Sequence, residues 1–489
     1  MRAPLRVLLA HSYFLAFDEK QTRKMKPYPP LATLITASVL RQAGHAVSLF
    51  DAMLEPDERE FERALAGSRP DVVGLLEDNF NFLTKMCTTR MREAALRMAR
   101  LAKNAGCRIV TNSSDATDHP EIYLEAGVDA VIIGETEQTL PELLAALAAG
   151  APTDLSRIAG LALTASSGAV VRTPPRPFVS DLDVLPFPAW DLVDVARYRA
   201  AWTAAHGRLS WNVVTTRGCP FRCNWCAKPL YGMRYAQRSA GNVAAELAAL
   251  QDAVAPDHLW FADDIFGLTP RWIERFAEEV AARGVRIPFT MQSRVDLMTR
   301  SGVEALAAAG CEEVWLGVES GSQKILDAMD KGTRVEQIRR ATRLLREHGI
   351  RAAWFLQLGY PGEEWTDLLL TRGLLRSEQP DDIGVSVAYP LPGTAFYERV
   401  RKQLSAKQNW RDSDDLAVLF EGTYTGPFYR RIRDLLHAEA LVLRGFRSNL
   451  SAAEIDDGWA DLGQREAADR RRPGDALEED LPRAATGGL

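Results

Sequence analysis

Much that would quickly place a 489-residue chain is missing from this one. No apolar run approaches the roughly 20 residues needed to cross a bilayer, so a membrane-spanning helix is not expected. Met1-Arg2-Ala3-Pro4-Leu5 passes straight into a strand-like segment without the layout of a signal peptide, and a cytoplasmic location is expected. Positive charge is not in excess, and the net charge of −6 gives no electrostatic case for nucleic acid. No G-x-G-x-x-G follows the first strand, where His11-Ser12-Tyr13-Phe14 stands instead, which disfavours a dinucleotide site. Internal repeats are lacking. Cysteine is scarce at six, and Cys87, Cys107 and Cys311 are scattered in or beside apolar segments, as buried reduced thiols are. What remains is a globular composition, 46% apolar and 25% charged, on a chain long enough for two or three domains.

The other three cysteines are crowded together. Cys219, Cys223 and Cys226 fall in Thr216-Arg217-Gly218-Cys219-Pro220-Phe221-Arg222-Cys223-Asn224-Trp225-Cys226, a C-x3-C-x2-C spacing. Thiolates this close can hold three irons of a cubane cluster. Such clusters normally take four cysteines, so the triplet leaves one iron for an outside ligand. The same triplet suits a Cys3His zinc site, with His206 and His258 the nearest histidines on either side.

Residues 1–150 alternate between short β-like runs (Leu5–Ala10, Ala46–Phe50, Asp71–Leu76, Cys107–Thr111, Asp129–Ile133) and amphipathic helical stretches. That alternation predicts a doubly wound parallel sheet, with ligands at the carboxyl ends of its strands. Residues 151–205, marked by Thr173-Pro174-Pro175-Arg176-Pro177 and Leu185-Pro186-Phe187-Pro188, read as a linker. A second series spans 206–402, with strands at Trp211–Thr215, His258–Ala262, Arg286–Met291, Glu313–Val318, Ala352–Gln357 and Ile383–Ala388. Six βα units predict a partial (β/α)6 barrel whose chemistry lies in the loops after the strands. The cysteine triplet sits in the first of those loops. Residues 403–450 read as a helical cap, and the Ala-, Asp-, Glu- and Arg-rich 451–489 as a largely disordered tail.

The cysteine spacing, Trp225 just before the last cysteine, and Gly317-Val318-Glu319-Ser320-Gly321-Ser322 after the fourth barrel strand resemble the radical S-adenosylmethionine (SAM) superfamily across residues 206–402. The resemblance implies a 4Fe–4S cluster on Cys219, Cys223 and Cys226 whose open iron binds the amino and carboxylate groups of SAM and cleaves its sulfonium to a 5′-deoxyadenosyl radical. Arg294 is then expected at the SAM carboxylate, and Glu319 and Ser320 at its ribose or ammonium. Asp263 and Asp264 stand where the family has Gly-Gly-Glu, and either meet the ammonium or cap the next helix. Gly359-Tyr360-Pro361-Gly362-Glu363 would run beside the adenine.

A doubly wound domain ahead of such a barrel resembles the cobalamin-binding radical SAM class. Pro29-Pro30-Leu31, Ala43-Gly44-His45 and Gly134-Glu135-Thr136-Glu137 carry the likeness. The last run is expected against the corrin, which makes Gly134 and Glu135 contacts. The D-x-H-x-x-G motif that offers a histidine to cobalt is absent, so no histidine ligand is expected, and His11 reads as a loop residue or a side contact. Asn112-Ser113-Ser114-Asp115-Ala116-Thr117 replaces the family's Gly-Gly-x-His-x-Thr, and Asn112 and Ser113 are expected to bond corrin amides or narrow the cleft. Glu77-Asp78-Asn79-Phe80-Asn81 would bond the amides, line a substrate cavity or remain a hydrated loop.

The class implies an enzyme that methylates an unactivated carbon or a phosphinate phosphorus of a small molecule, with SAM, cobalamin and the cluster as cofactors and a flavodoxin or ferredoxin as reductant. Asn409-Trp410-Arg411-Asp412-Ser413-Asp414-Asp415 and Phe420-Glu421-Gly422-Thr423-Tyr424 resemble the branch of the anaerobic magnesium-protoporphyrin monomethyl ester cyclase. That keeps non-methylating cyclisation or rearrangement open, with Ser413 or Asp414 otherwise a helix cap. A non-enzymatic cobalamin or metal sensor is the third reading. Tyr389, Phe396, Tyr397, Trp410 and Phe420 bound a large apolar substrate or belong to the core.

Overall fold

The computed structural model describes residues 4–148, 154–226, 231, 233–404 and 407–471. Its first sheet contains β1 (Arg6–Ala10), β2 (Ala46–Phe50), β3 (Val72–Leu76), β4 (Arg108–Asn112), β5 (Ala130–Ile132), β6 (Leu161–Thr164) and β7 (Val170–Arg172). The spatial order is β2-β1-β3-β4-β5-β6-β7, parallel through β5. Val72–Leu76 is buried along its whole length, as a strand covered by helices on both faces must be. The order reverses between β1 and β3, and a crevice opens there at the strand ends.

Residues 151–205 are not a free linker. β6 and β7 form a hairpin that extends the same sheet, with Val131 paired to Ala162, and Val195–His206 is helical. Proline-rich flanks masked strands this short.

The second sheet holds β8 (Ser210–Val213), β11 (His258–Phe261), β12 (Phe289–Ser293), β13 (Cys311–Glu319), β14 (Arg351–Leu358) and β15 (Asp382–Val387), adjacent in chain order and all parallel. Between β8 and β11 lies a small antiparallel pair, β9 (Thr216–Arg217) and β10 (Ala236–Gln237). Helices cover the outer face, which is apolar: Val314, Leu316, Val318, Trp354 and Leu356 are buried.

The C-terminal region departs from expectation twice. Residues 407–425 form no regular helix; the helix of this region begins at Gly426 and ends at Leu443. Ser413 caps nothing: its N–H and hydroxyl donate to Asp18 at 2.9 Å each, tying this strap to the first domain. Within the tail expected to be disordered, Ala452–Asp469 is helical, started by a Ser451/Glu454 capping box. Ile455, Trp459 and Leu462 give it one apolar stripe, a spacing that its charged composition concealed. The last 18 residues of that tail, 472–489, lie outside the described residues. Phe396, Trp410 and Phe420 are fully buried and Tyr389 nearly so, which makes them core, while Tyr397 is half-exposed.

Candidate functional site

The cysteine loop leaves the barrel through the β9–β10 clasp, and Gly218 (φ +74°) turns the chain into Cys219. Cys219 and Cys223 are buried and Cys226 is half-buried. Asn224 ties the loop to the far strand ends. Its N–H donates to Met329 O, its side-chain NH2 to Ala328 O and Asp330, and its Oδ1 accepts from Tyr360 OH at 2.6 Å. The Arg294 guanidinium lies 3.8 Å over the Phe221 ring, with Nη1 3.6 Å from Cys223 Sγ. Lys331 Nζ sits 5.9 Å over Trp225. Two cations beside three thiols suit a donor set that must carry net negative charge.

The zinc alternative loses its fourth ligand. His206 Nε2 is bonded to Lys24 O and Met25 O, and His258 lies between Ser210 and Thr290 at the start of the barrel strands. Among the described residues no three Cys, His, Asp or Glu side chains converge on one ion.

The strand-end residues divide. Asp263 is fully buried and accepts four bonds, from the N–H and hydroxyl of both Thr215 and Thr216, and burial raises its carboxyl to about 7. It braces the turn into the cysteine loop, so neither role expected of it, SAM contact or helix cap, fits. Ser320 faces Thr371 at 3.3 Å and accepts from Ser322 N. A Cβ on Gly321 would come within 2.6 Å of the Leu370 and Thr371 backbone, so this glycine serves helix packing and not ligand approach. Glu319, held at φ +64° by a bulge in β13, reaches Lys331 at 2.7 Å; such strain costs about 1–3 kcal/mol and is characteristic of functional sites. Arg294 does reach the cluster loop, but it is also engaged by Asp296 and by Lys331 O. Left over are buried polar atoms without partners: Trp225 Nε1, Ser293 Oγ and Gln357 Oε1. Of these, Trp225 Nε1 in the cysteine loop gives a polar SAM somewhere to bond, and the sequence pattern had not singled it out for that.

Glu363 closes the turn after β14. One oxygen accepts from Gly359 N at 2.6 Å, the other has no partner, and burial pushes the carboxyl up to about 8, with Asp367 adding and Lys324 opposing. An acid raised on folding stabilises fully below its unfolded value, near 4.5, and that contribution is lost as pH climbs through 8. Thermal unfolding between pH 5 and 8 is expected to show the wild type losing stability, and Glu363→Gln losing clearly less. Identical pH slopes would remove the assignment.

On the first sheet, Asn112 spends its side chain stitching strand ends, donating to Ile132 O and Gly134 O and accepting from Asn79. Ser113 caps the short helix Ser114–Asp118. Ser113 lines the crevice at these strand ends while its hydroxyl accepts from Ala116 N, and the Asn112 side chain is taken up by the strands; the unpartnered atoms there are Ser114 Oγ, Glu77 Oε2 and Asn79 Oδ1. His11 Nε2 is 2.9 Å from Asp51 and 3.1 Å from Ala52 N, so the ring is tied inward. Beneath the β1/β3 switch point lies a narrow crevice with room for about one water, lined by Ser12, Glu77, Arg92, Ser113 and Asp115 among others. Gly134 has φ +87° and open space where a Cβ would project. Orphaned polar atoms at the strand ends and an open glycine turn fit a corrinoid with its amide arms. Gly134→Val is expected to weaken cobalamin binding at least about tenfold, or 1.4 kcal/mol, in absorbance titrations, with iron content unchanged.

The two halves meet through charge. Arg217, two residues before Cys219, donates to Glu135 and Glu137 at 2.5 Å each, and all three are almost wholly buried. The second Glu135 oxygen accepts from Val179 N. Glu135 therefore brackets the domains and has no oxygen left for the corrin. The Arg217 guanidinium lies over Tyr231, which stacks on Phe80 at 5.6 Å. Lys85 is buried, its pKa lowered by burial, with Asp264 and Asp78 as acidic neighbours and Cys226 close by. Arg217 and Lys85 stood out in no sequence motif, because their meaning lies in partners far along the chain.

Comparison with known proteins agrees with this geometry. Residues 26–144 match the B12 binding domain and residues 213–375 the radical SAM superfamily. An uncharacterized methyltransferase of Pyrococcus horikoshii is 29% identical over 390 residues, covering 78% of this chain and 81% of that one. The anaerobic magnesium-protoporphyrin IX monomethyl ester cyclase of Rubrivivax gelatinosus is 27% identical over 384 residues, 76% of this chain and 66% of its own. Among solved structures, the radical SAM methyltransferase TsrM of Kitasatospora setae, with cobalamin and a 4Fe–4S cluster bound, has the same fold at TM-score 0.67 and 20% identity, covering 82% of this chain and 78% of that one. Fold and site thus define an enzyme that joins a B12-binding sheet to a radical SAM barrel. The chain carries a B12-binding domain and a radical SAM domain and is homologous to cobalamin-dependent radical SAM methyltransferases and to cyclase-like proteins, and its cofactors are a 4Fe–4S cluster, SAM and cobalamin. No helix among the described residues is long and apolar enough to cross a membrane.

Proposed function

We propose that this enzyme methylates an unactivated carbon, or a phosphinate phosphorus, of a small molecule in the cytoplasm, with a flavodoxin or ferredoxin as electron donor. The observation that carries the reading is the Arg217 bracket, which grips the turn beside Gly134 from a position two residues before the first cluster cysteine. Bound SAM and cluster supply radical chemistry, and bound cobalamin supplies a transferable methyl group. The chain has to hold both around one water-poor cleft. Arg217, Glu135 and Glu137 fix the separation of the two halves, and the Phe80–Tyr231 stack packs against the bracket. Cys219, Cys223 and Cys226 would hold the cluster; Trp225 would meet SAM, with Arg294 and the Glu319–Lys331 pair behind it, while Asp264 stays a candidate for the ammonium beside Lys85. Gly134 and Ser114 would face the corrin.

A second reading, cyclisation or rearrangement without methyl transfer, is favoured by the strap at 407–420. Trp410 N donates to Met86 O and Thr89 N to Trp410 O, while the Trp410 ring meets Tyr389 edge-on, so the strap closes over both domains in a stretch resembling the cyclase branch.

Anaerobically prepared protein supplied with cobalamin, dithionite and SAM decides between them. Methyl transfer predicts S-adenosylhomocysteine alongside 5′-deoxyadenosine; 5′-deoxyadenosine alone would favour the second reading, and neither product would sink both.

A further inference from the structure

The barrel interior is lined in an uneven way. On five successive strands the inward-facing residue at mid-height is partly accessible while its outward neighbours are buried: Trp260, Gln292, Trp315, Phe355 and Gly384. The registers Trp315↔Ala353, Gly317↔Phe355 and Phe355↔Gly384 put the last three on one continuous patch. There Trp315 and Phe355 stack with centroids 4.7 Å apart and planes inclined by 29°. A Cβ on Gly384 would stand 3.3 Å from both rings, so this glycine lets the pair lie down over β15 and leaves their upper faces to the lumen. Two residues further along β14, and on the same face, Gln357 presents a buried Oε1 with no hydrogen-bond partner. Charge is neutralised at this level. Glu313 accepts from Trp315 Nε1 at 2.9 Å and from Arg351 Nε at 3.2 Å.

A wide aromatic platform that served packing alone would be covered, as Trp354 is on the other face of the same strand. We propose that the part of the substrate entering the barrel is a neutral, flat, unsaturated ring bearing an N–H or O–H, its face on the Trp315–Phe355 stack and its donor edge at Gln357 Oε1. Offset stacking rewards a π face beyond the area it buries, and an unpaired buried acceptor rewards a donor. The inference rests on the radical SAM reading of the barrel given above.

The test compares 2-naphthol with decahydro-2-naphthol, which share a skeleton and a hydroxyl and differ in the π faces, by anaerobic calorimetry on the cobalamin- and cluster-loaded protein. Wild type is expected to bind the naphthol about tenfold more tightly, the scale of a few aromatic contacts. In the double variant Trp315→Leu/Phe355→Leu that preference is lost, with iron and cobalt contents kept as evidence of folding. Gly384→Val, which tips the rings without removing them, is expected to weaken naphthol binding as well. Equal affinities for the two alcohols in wild type, or naphthol binding unchanged in both variants, would overturn the proposal. Formation of 5′-deoxyadenosine by the wild type is measured in parallel, so failure of the radical reading is distinguished from failure of the platform.

Discussion

Arg217→Met is expected to destabilise the protein by about 3–5 kcal/mol, the cost of stranding buried charges whose partner has gone. Among the described residues, the guanidinium is the cation that ion-pairs with both Glu135 and Glu137, each nearly inaccessible to water. Removing it leaves two carboxylates together in a poor solvent, and burial already holds the Glu135 carboxyl above its ordinary value. Denaturant unfolding with and without Glu135→Gln/Glu137→Gln tells structure from mechanism. The triple variant is expected to recover most of the lost stability, because a neutral cluster no longer carries the buried charge. Its SAM-derived products are expected to stay depressed, because the cysteine loop is no longer gripped to the B12-binding sheet. Full recovery of both would reduce the bracket to a stabilising contact. A single Arg217→Met variant as stable as wild type would show the three groups to be solvated.

The second large effect concerns the cysteines. Cys223→Ala is expected to lower iron from about four per chain to near zero and to abolish 5′-deoxyadenosine formation. Cobalamin binding is expected to persist, since Gly134 and Ser114 stand on a sheet with its own core. Iron and cobalt analysis with product chromatography reads all three quantities. Retention of iron together with SAM cleavage would remove Cys223 from the cluster. Loss of cobalamin along with iron would instead mean that the two halves do not fold separately. Cys311→Ala is the control: its thiol lies at the start of β13, pushed well above the ordinary range by burial.

The sequence by itself determined the strands and the cluster motif. Alternating apolar runs with helical spacers allow few arrangements other than parallel sheets, because each strand needs a crossover before the next. All eleven strands expected along the chain occur in the structure, within a few residues of the expected bounds. The triplet at 219, 223 and 226 was equally legible, since ligands so close in sequence need no distant partner to define them.

Tertiary structure alone decided what the polar residues at the strand ends do. Asp263, Asn112, Ser113 and Ser320 look like ligand contacts in a motif, yet each is consumed by backbone or side-chain groups nearby. Ser114, Ser293 and Gln357 look ordinary in the sequence and keep unpartnered buried atoms. A polar side chain's role depends on which donors and acceptors reach it first, and those come from segments tens of residues away. The bracket at Arg217 and the platform at Trp315 and Phe355 follow the same rule. Local sequence fixes which face of a strand a residue occupies, while strand order and register fix what it meets there.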